Sequence, residues 1–174
     1  MRWRRLVRFM SMVAATAAFA FPTLPMALPK LQALTKELEE AQFTYGLGAK
    51  IEPLSEQFSP GQGGEVDCSG YARWAIYHAC DQMVVPDGSY VQHDWCNQQG
   101  FKVSSPDSCK AHDGVIRWCF LTPDDGGGVG HTLFVCNGTT YESHGGAGPD
   151  SRAFDPAIHA WMGKLHVYVI AVPA

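Results

Sequence analysis

Three side chains with acyl-transfer chemistry within their reach stand at Cys68, His131 and His144. A thiol attacks a carbonyl as its thiolate, beside a base whose tautomer a third group holds. The two histidines are related by the residues between them. Thr132–Cys136, Asn137-Gly138 and Thr139–Ser143 read as strand, two-residue turn and strand, and Asn-Gly is the strongest short-range hairpin signal. In such a hairpin, opposed residues have numbers summing to 275, and His131 and His144 meet that sum. Opposed Cβ atoms lie about 4.5–5.5 Å apart, which predicts two imidazoles on one face within hydrogen-bonding reach. Glu142 stands one diagonal step from His131 on that face and is the reserve candidate for holding the base.

The element that must position the sulfur is a helix. From Cys68 onward, Tyr71, Ala72, Ala75, Ile76 and Ala79 recur at helical spacing, with Arg73 and His78 off the stripe. Asp67 is a natural N-cap, which puts Cys68 in the first turn. There the helix dipole and the unpaired backbone N–H groups favour thiolate, lowering the thiol pKa from about 8.5. The same N–H groups are suited to hold an oxyanion.

Asp67-Cys68-Ser69-Gly70, Gly130-His131 before an apolar strand, and Tyr141-Glu142-Ser143-His144 occur in an order that resembles the NlpC-like family of cysteine peptidases. These are papain-related enzymes that cut the peptide stems of bacterial cell walls. Phe43-Thr44-Tyr45-Gly46-Leu47-Gly48 is similar to the family's approach to the nucleophile, and Asp113-Gly114-Val115-Ile116 to the segment before its base. The resemblance runs from about residue 32 to the C-terminus. It implies Cys68 as nucleophile, His131 as base and His144 as third member, with Asp67, Ser69, Tyr45 and Glu142 available for substrate contacts. It also implies stem peptides as substrate and no cofactor. Two departures stand out. Phe43 occupies the position where the family often has Tyr, leaving Tyr45 to substitute, and the strand after the base carries the bulkier Thr132-Leu133-Phe134.

A chain of 174 residues with 46% hydrophobic residues suits one packed domain, placed at 30–174. Arg2, Arg4, Arg5 and Arg8 precede an apolar run, Phe9 to Phe21, too short to span a bilayer comfortably. With Ala18-Phe19-Ala20 as a cleavage site, residues 1–20 read as a secretory leader, the competing reading being an uncleaved anchor. Export to the cell envelope or beyond is therefore expected. Loss of the leader would take the formal charge from −4 to −8, which disfavours nucleic-acid binding. A helix begins at Pro29 with Leu31, Leu34, Leu38 and Ala41 on one face. Ser55–Gly64 is loop, and strands are predicted near Val115–Phe120, Thr132–Cys136, Thr139–Ser143 and Leu165–Val172. Helices first and a mainly antiparallel sheet afterwards make the fold class α+β, the order of a papain-like fold of the NlpC type.

Six cysteines leave an odd number if Cys68 stays free. Cys96 and Cys109, within the irregular segment from Pro86 to Lys110, are the favoured disulfide. The alternative there is structural zinc on His93, Cys96, Cys109 and His112. Arg152, beyond the hairpin, reads as a surface residue or as a contact for a substrate carboxylate. A monomer is expected. Rival functions are a deamidase or transglutaminase acting on proteins, a wall-degrading toxin held by an inhibitor or immunity protein, and a non-catalytic wall- or metal-binding module.

Overall fold

A computed structural model describes residues 22–173. The leader expected at 1–20 lies outside the described residues. Among the described residues, no helix is long and apolar enough to cross a membrane.

Helix α1 (Leu28–Glu40) starts with Pro29 in its first turn, where the missing N–H costs nothing, and buries Leu31, Leu34 and Leu38. The short strands β1 (Phe43–Thr44) and β2 (Gly64–Glu65) pair in parallel and bring the chain to helix α2 (Cys68–Ala79). The two helices meet through Thr35 and Tyr71, whose hydroxyls are 2.7 Å apart. Helix α3 (Ser89–Gln99) follows and ends on Gly100 in the left-handed region. Six strands then form one antiparallel sheet: β3 (Lys102–Ser104), β4 (Ile116–Leu121), β5 (His131–Cys136), β6 (Thr139–His144), β7 (Gly148–Ala153) and β8 (His166–Ala171). Their spatial order is β3-β8-β4-β5-β6-β7. The architecture is α+β, with three helices and a mainly antiparallel sheet among the described residues.

Strand alternation divides the core into two layers. Ile116, Trp118, Phe120 and Phe134 point toward Leu31, Leu38, Tyr71 and Trp74 of the helices. Cys119, Leu121, Leu133 and Val135 point the other way, where Cys109, Phe154, Met162 and Leu165 cover them. At about 25 cal/mol per Å² of apolar surface removed from water, these two layers are the main force holding helices and sheet together.

The segment expected to be irregular contains α3, β3 and a 3-10 turn at Pro106–Lys110. The expected disulfide is corrected: Cys96 lies in the helix-side layer and Cys109 in the opposite one, and both are free thiols. The sulfur beside Cys109 is that of Cys119, at 3.7 Å. The zinc alternative is corrected on the same ground, since the sheet separates Cys96 from Cys109. His93 Nε2 is 3.0 Å from the Tyr168 hydroxyl, and His112 adjoins the Asn137-Gly138 turn. Among the described residues, no group of three or more His, Cys, Asp or Glu is arranged to hold a metal.

Candidate active site

Asp67 caps α2 by accepting the Gly70 N–H on Oδ1 at 2.7 Å, so Cys68 is the first residue of the helix. Tyr71 N–H bonds the Asp67 carbonyl, and the N–H groups of Cys68 and Ser69 have no acceptor within the helix. Asp67 is almost fully buried, and its carboxylate is fully employed. Oδ1 also accepts from Ser69 Oγ at 3.0 Å, and Oδ2 accepts from Gly48 N–H at 3.1 Å and from Lys50 Nζ. Lys50 Nζ donates to Ser69 Oγ as well, at 2.9 Å. Gly70 permits this closeness, because a Cβ there would stand 2.9 Å from the Ala49 carbonyl oxygen. Asp67 and Ser69 thus form the cap of the helix. Lys50 escaped the sequence reading because nothing local links it to a motif seventeen residues away.

The hairpin forms in the expected register. Cys136↔Thr139, Val135↔Thr140 and Phe134↔Tyr141 are paired, and both turn residues have positive φ, 50° at Asn137 and 73° at Gly138. The β5–β6 pairing stops at Phe134↔Tyr141, whereas β5 continues beside β4 as far as Leu121↔His131. His131 is therefore held by one neighbouring strand and lies beyond the ladder with the other.

The partner of His131 is Glu142. Glu142 Oε2 lies 2.6 Å from His131 Nε2, while its Oε1 accepts from Arg152 Nε at 3.0 Å. The expected pairing of His131 with His144 is corrected. His144 spends its two nitrogens on the Gly145 carbonyl oxygen at 3.0 Å and on Asp150 Oδ2 at 3.1 Å. Once the ladder opens, two directly opposed rings no longer meet, and the diagonal carboxylate takes the base.

Electrostatics follow from these contacts. Burial works against charge on His131, but the neighbouring Cys68 sulfur and the Glu142 carboxylate outweigh it and lift the imidazole pKa to about 9. Burial likewise opposes charge on Glu142, yet His131 and Arg152 prevail and hold its carboxyl at about 2. The pair is thus ionised at neutral pH, with the Cys68 sulfur in its neighbourhood. Burial above all, and the neighbouring Cys68 and Asp67, raise the Tyr45 phenol pKa, so Tyr45 keeps its proton more firmly than usual.

Phe43 turns into the core against Phe58, with ring centroids 4.6 Å apart, and Tyr45 lines the cleft. That cleft, of about 490 Å³, is also bounded by His131, His144, Gly145, Arg152, Trp161 and the Asp125–Gly130 loop. The Trp161 ring stands at 87° to the His131 ring, centroids 5.6 Å apart. Arg152, read from the sequence as a surface residue or a contact for a substrate carboxylate, instead meets Glu142, and Trp161 escaped the sequence reading because the turn that carries it lacks any apolar period. Chemically, a sulfur, a neighbouring proton carrier held by a buried carboxylate, and free N–H groups at a helix start suffice for acyl transfer. No protein-family model matches this chain, and no curated protein matches it.

Proposed function

We propose that this protein is a cysteine-type hydrolase that cleaves an amide bond in the peptide stems of bacterial peptidoglycan through a thioester intermediate. The observation that carries the reading is the His131–Glu142 contact beside Cys68, in which a base held by a buried carboxylate neighbours a thiol at a helix start. The substrate class rests on the resemblance of the Asp67–Gly70, Gly130-His131 and Tyr141–His144 motifs to the NlpC-like family. The order of helices and antiparallel strands is in keeping with a papain-like fold of that type. The third member is Glu142 in place of His144.

In the proposed reaction the Cys68 sulfur adds to the amide carbonyl, and its negative charge passes to the carbonyl oxygen. The Cys68 and Ser69 N–H groups and the Tyr45 hydroxyl are the available donors for that oxygen. The C–N bond then breaks as His131 gives its proton to the departing amine. Neutral His131 next takes a proton from water, whose oxygen attacks the thioester and releases the acid and the sulfur. Glu142 stays ionised throughout and holds Nε2 so that the other ring nitrogen faces Cys68. Export with removal of residues 1–20 would bring the enzyme to its substrate.

Mass analysis of muropeptides incubated with the protein tests the reading. New fragments differing from intact stems by the addition of one water at one amide are expected, and they should be absent with Cys68→Ala. Unchanged muropeptides, or the same fragments from Cys68→Ala, would refute it.

A further inference from the structure

Glu142 has no exposed surface, and its carboxylate sits between two partners, His131 from β5 and Arg152 from β7. Arg152 lies opposite Thr140 across the β6–β7 ladder, two residues from Glu142 on β6. From that place its Nε donates to Oε1, which leaves Oε2 for the imidazole. Its guanidinium carbon also lies 5.9 Å from the centre of the Trp161 ring, and the edge contact of Trp161 with His131 closes a four-membered circuit of side chains. A buried carboxylate with one oxygen unpartnered would be free to rotate and costly to keep charged. A guanidinium can satisfy such an oxygen directionally while its plane rests against an aromatic ring.

We propose that Arg152 is a positioning residue for the reaction: together with Trp161 it locks the Glu142 carboxylate in the one orientation that presents Oε2 to His131. This rests on the catalytic reading of Cys68 and His131 and deepens it. Arg152 acts through Glu142 rather than on the substrate, so its loss falls on turnover. The other groups around Glu142 are Asp150 opposite it on β7, Cys119 on β4 and Tyr71 on α2. Of these, Asp150 is occupied by His144, and Tyr71 is bonded to Thr35. Among the described residues, Arg152 is thus the cation that balances Glu142 besides His131.

The test compares wild type, Arg152→Met, Arg152→Lys and Cys68→Ala, each checked for folding by circular dichroism. Peptidoglycan hydrolysis is measured together with a ¹³C titration of the Glu142 carboxyl. Arg152→Met should lower kcat about ten- to a hundredfold, the scale of one charge-assisted hydrogen bond, with KM little changed. The same variant should raise the Glu142 titration by about 1–3 pH units, as expected when an adjacent opposite charge is removed. Arg152→Lys keeps the charge but not the fork, so it should restore the titration more fully than kcat. A folded Arg152→Met with unchanged kcat, an unmoved titration or a loss confined to KM would overturn the proposal. Should that variant fail to fold, Arg152→Lys decides: lowered kcat at unchanged KM supports it, and unchanged kcat overturns it. Activity in Cys68→Ala would instead sink the catalytic reading, while the titration still judges the clamp.

Discussion

Glu142 reaches His131 from the neighbouring strand, one diagonal step from the directly opposed position, with Oε2 2.6 Å from Nε2. This contact, rather than the meeting of two imidazoles, determines which substitutions should matter. Glu142→Gln leaves the shape in place but removes the charge and the defined acceptor, so kcat/KM should fall about a hundredfold or more. His144→Ala breaks a bond to Asp150 at the cleft wall, and kcat should stay within about threefold of wild type. Steady-state kinetics on the two variants checks the assignment, which would be reversed if His144→Ala were the more damaging.

The ionised His131 should set the alkaline side of the pH–rate profile. The folded pKa is raised to about 9, so the cationic imidazole is fully present at neutral pH and is lost as the pH rises through that value. Activity should therefore decline near pH 9. In Glu142→Gln the decline should move down toward the ordinary imidazole value of about 6.5. A kcat/KM profile of both proteins measures this.

Stability should show the same ion pair from both sides. Because the His131 pKa is raised on folding, its contribution is present below about pH 6.5 and disappears as the pH climbs toward about 9. The Glu142 pKa is depressed on folding, so its contribution is present above about pH 4.5 and disappears as the pH falls toward about 2. Urea unfolding midpoints across this range should form a plateau between those two declines, and Glu142→Gln should flatten both.

The cap of α2 predicts a stability effect distinct from catalysis. Asp67→Ala removes the acceptor for Gly70 N–H, Gly48 N–H and Ser69 Oγ and strips Lys50 of its nearest partner. A loss of about 2 kcal/mol in unfolding free energy is expected, the upper part of the N-cap range. Denaturant unfolding at neutral pH reads it directly.

The parts of the molecule that were legible in the sequence had a strong local signal. The α1 stripe of Leu31, Leu34 and Leu38, the Asp67 cap and the Asn137-Gly138 turn all formed where spacing and turn chemistry require. The hairpin register was legible as well, but the point at which its ladder stops was not. That end depends on β5 staying with β4 while β6 stays with β7, a competition between strands distant in sequence. Helix α3 was missed because it buries little beyond Gln92 and Cys96, although Gly100 at its end is a helix-stop signal. β7 was missed because Gly148-Pro149-Asp150-Ser151 reads as a turn, and with it went the contact of Arg152 with Glu142. Cys109 and Cys119 meet only because the 3-10 turn folds back on β4, which no cysteine spacing reveals.

The central claim is that one sulfur, Cys68, takes the acyl group. Acid quenching of protein mixed with excess muropeptide, followed by mass spectrometry of the digested chain, tests it most directly. The account predicts an acyl adduct on the peptide containing Cys68, lost on treatment with hydroxylamine and stronger in wild type than in Glu142→Gln. Stem cleavage proceeding with Cys68 unmodified at every quench time, or continuing after Cys68→Ala, would contradict it.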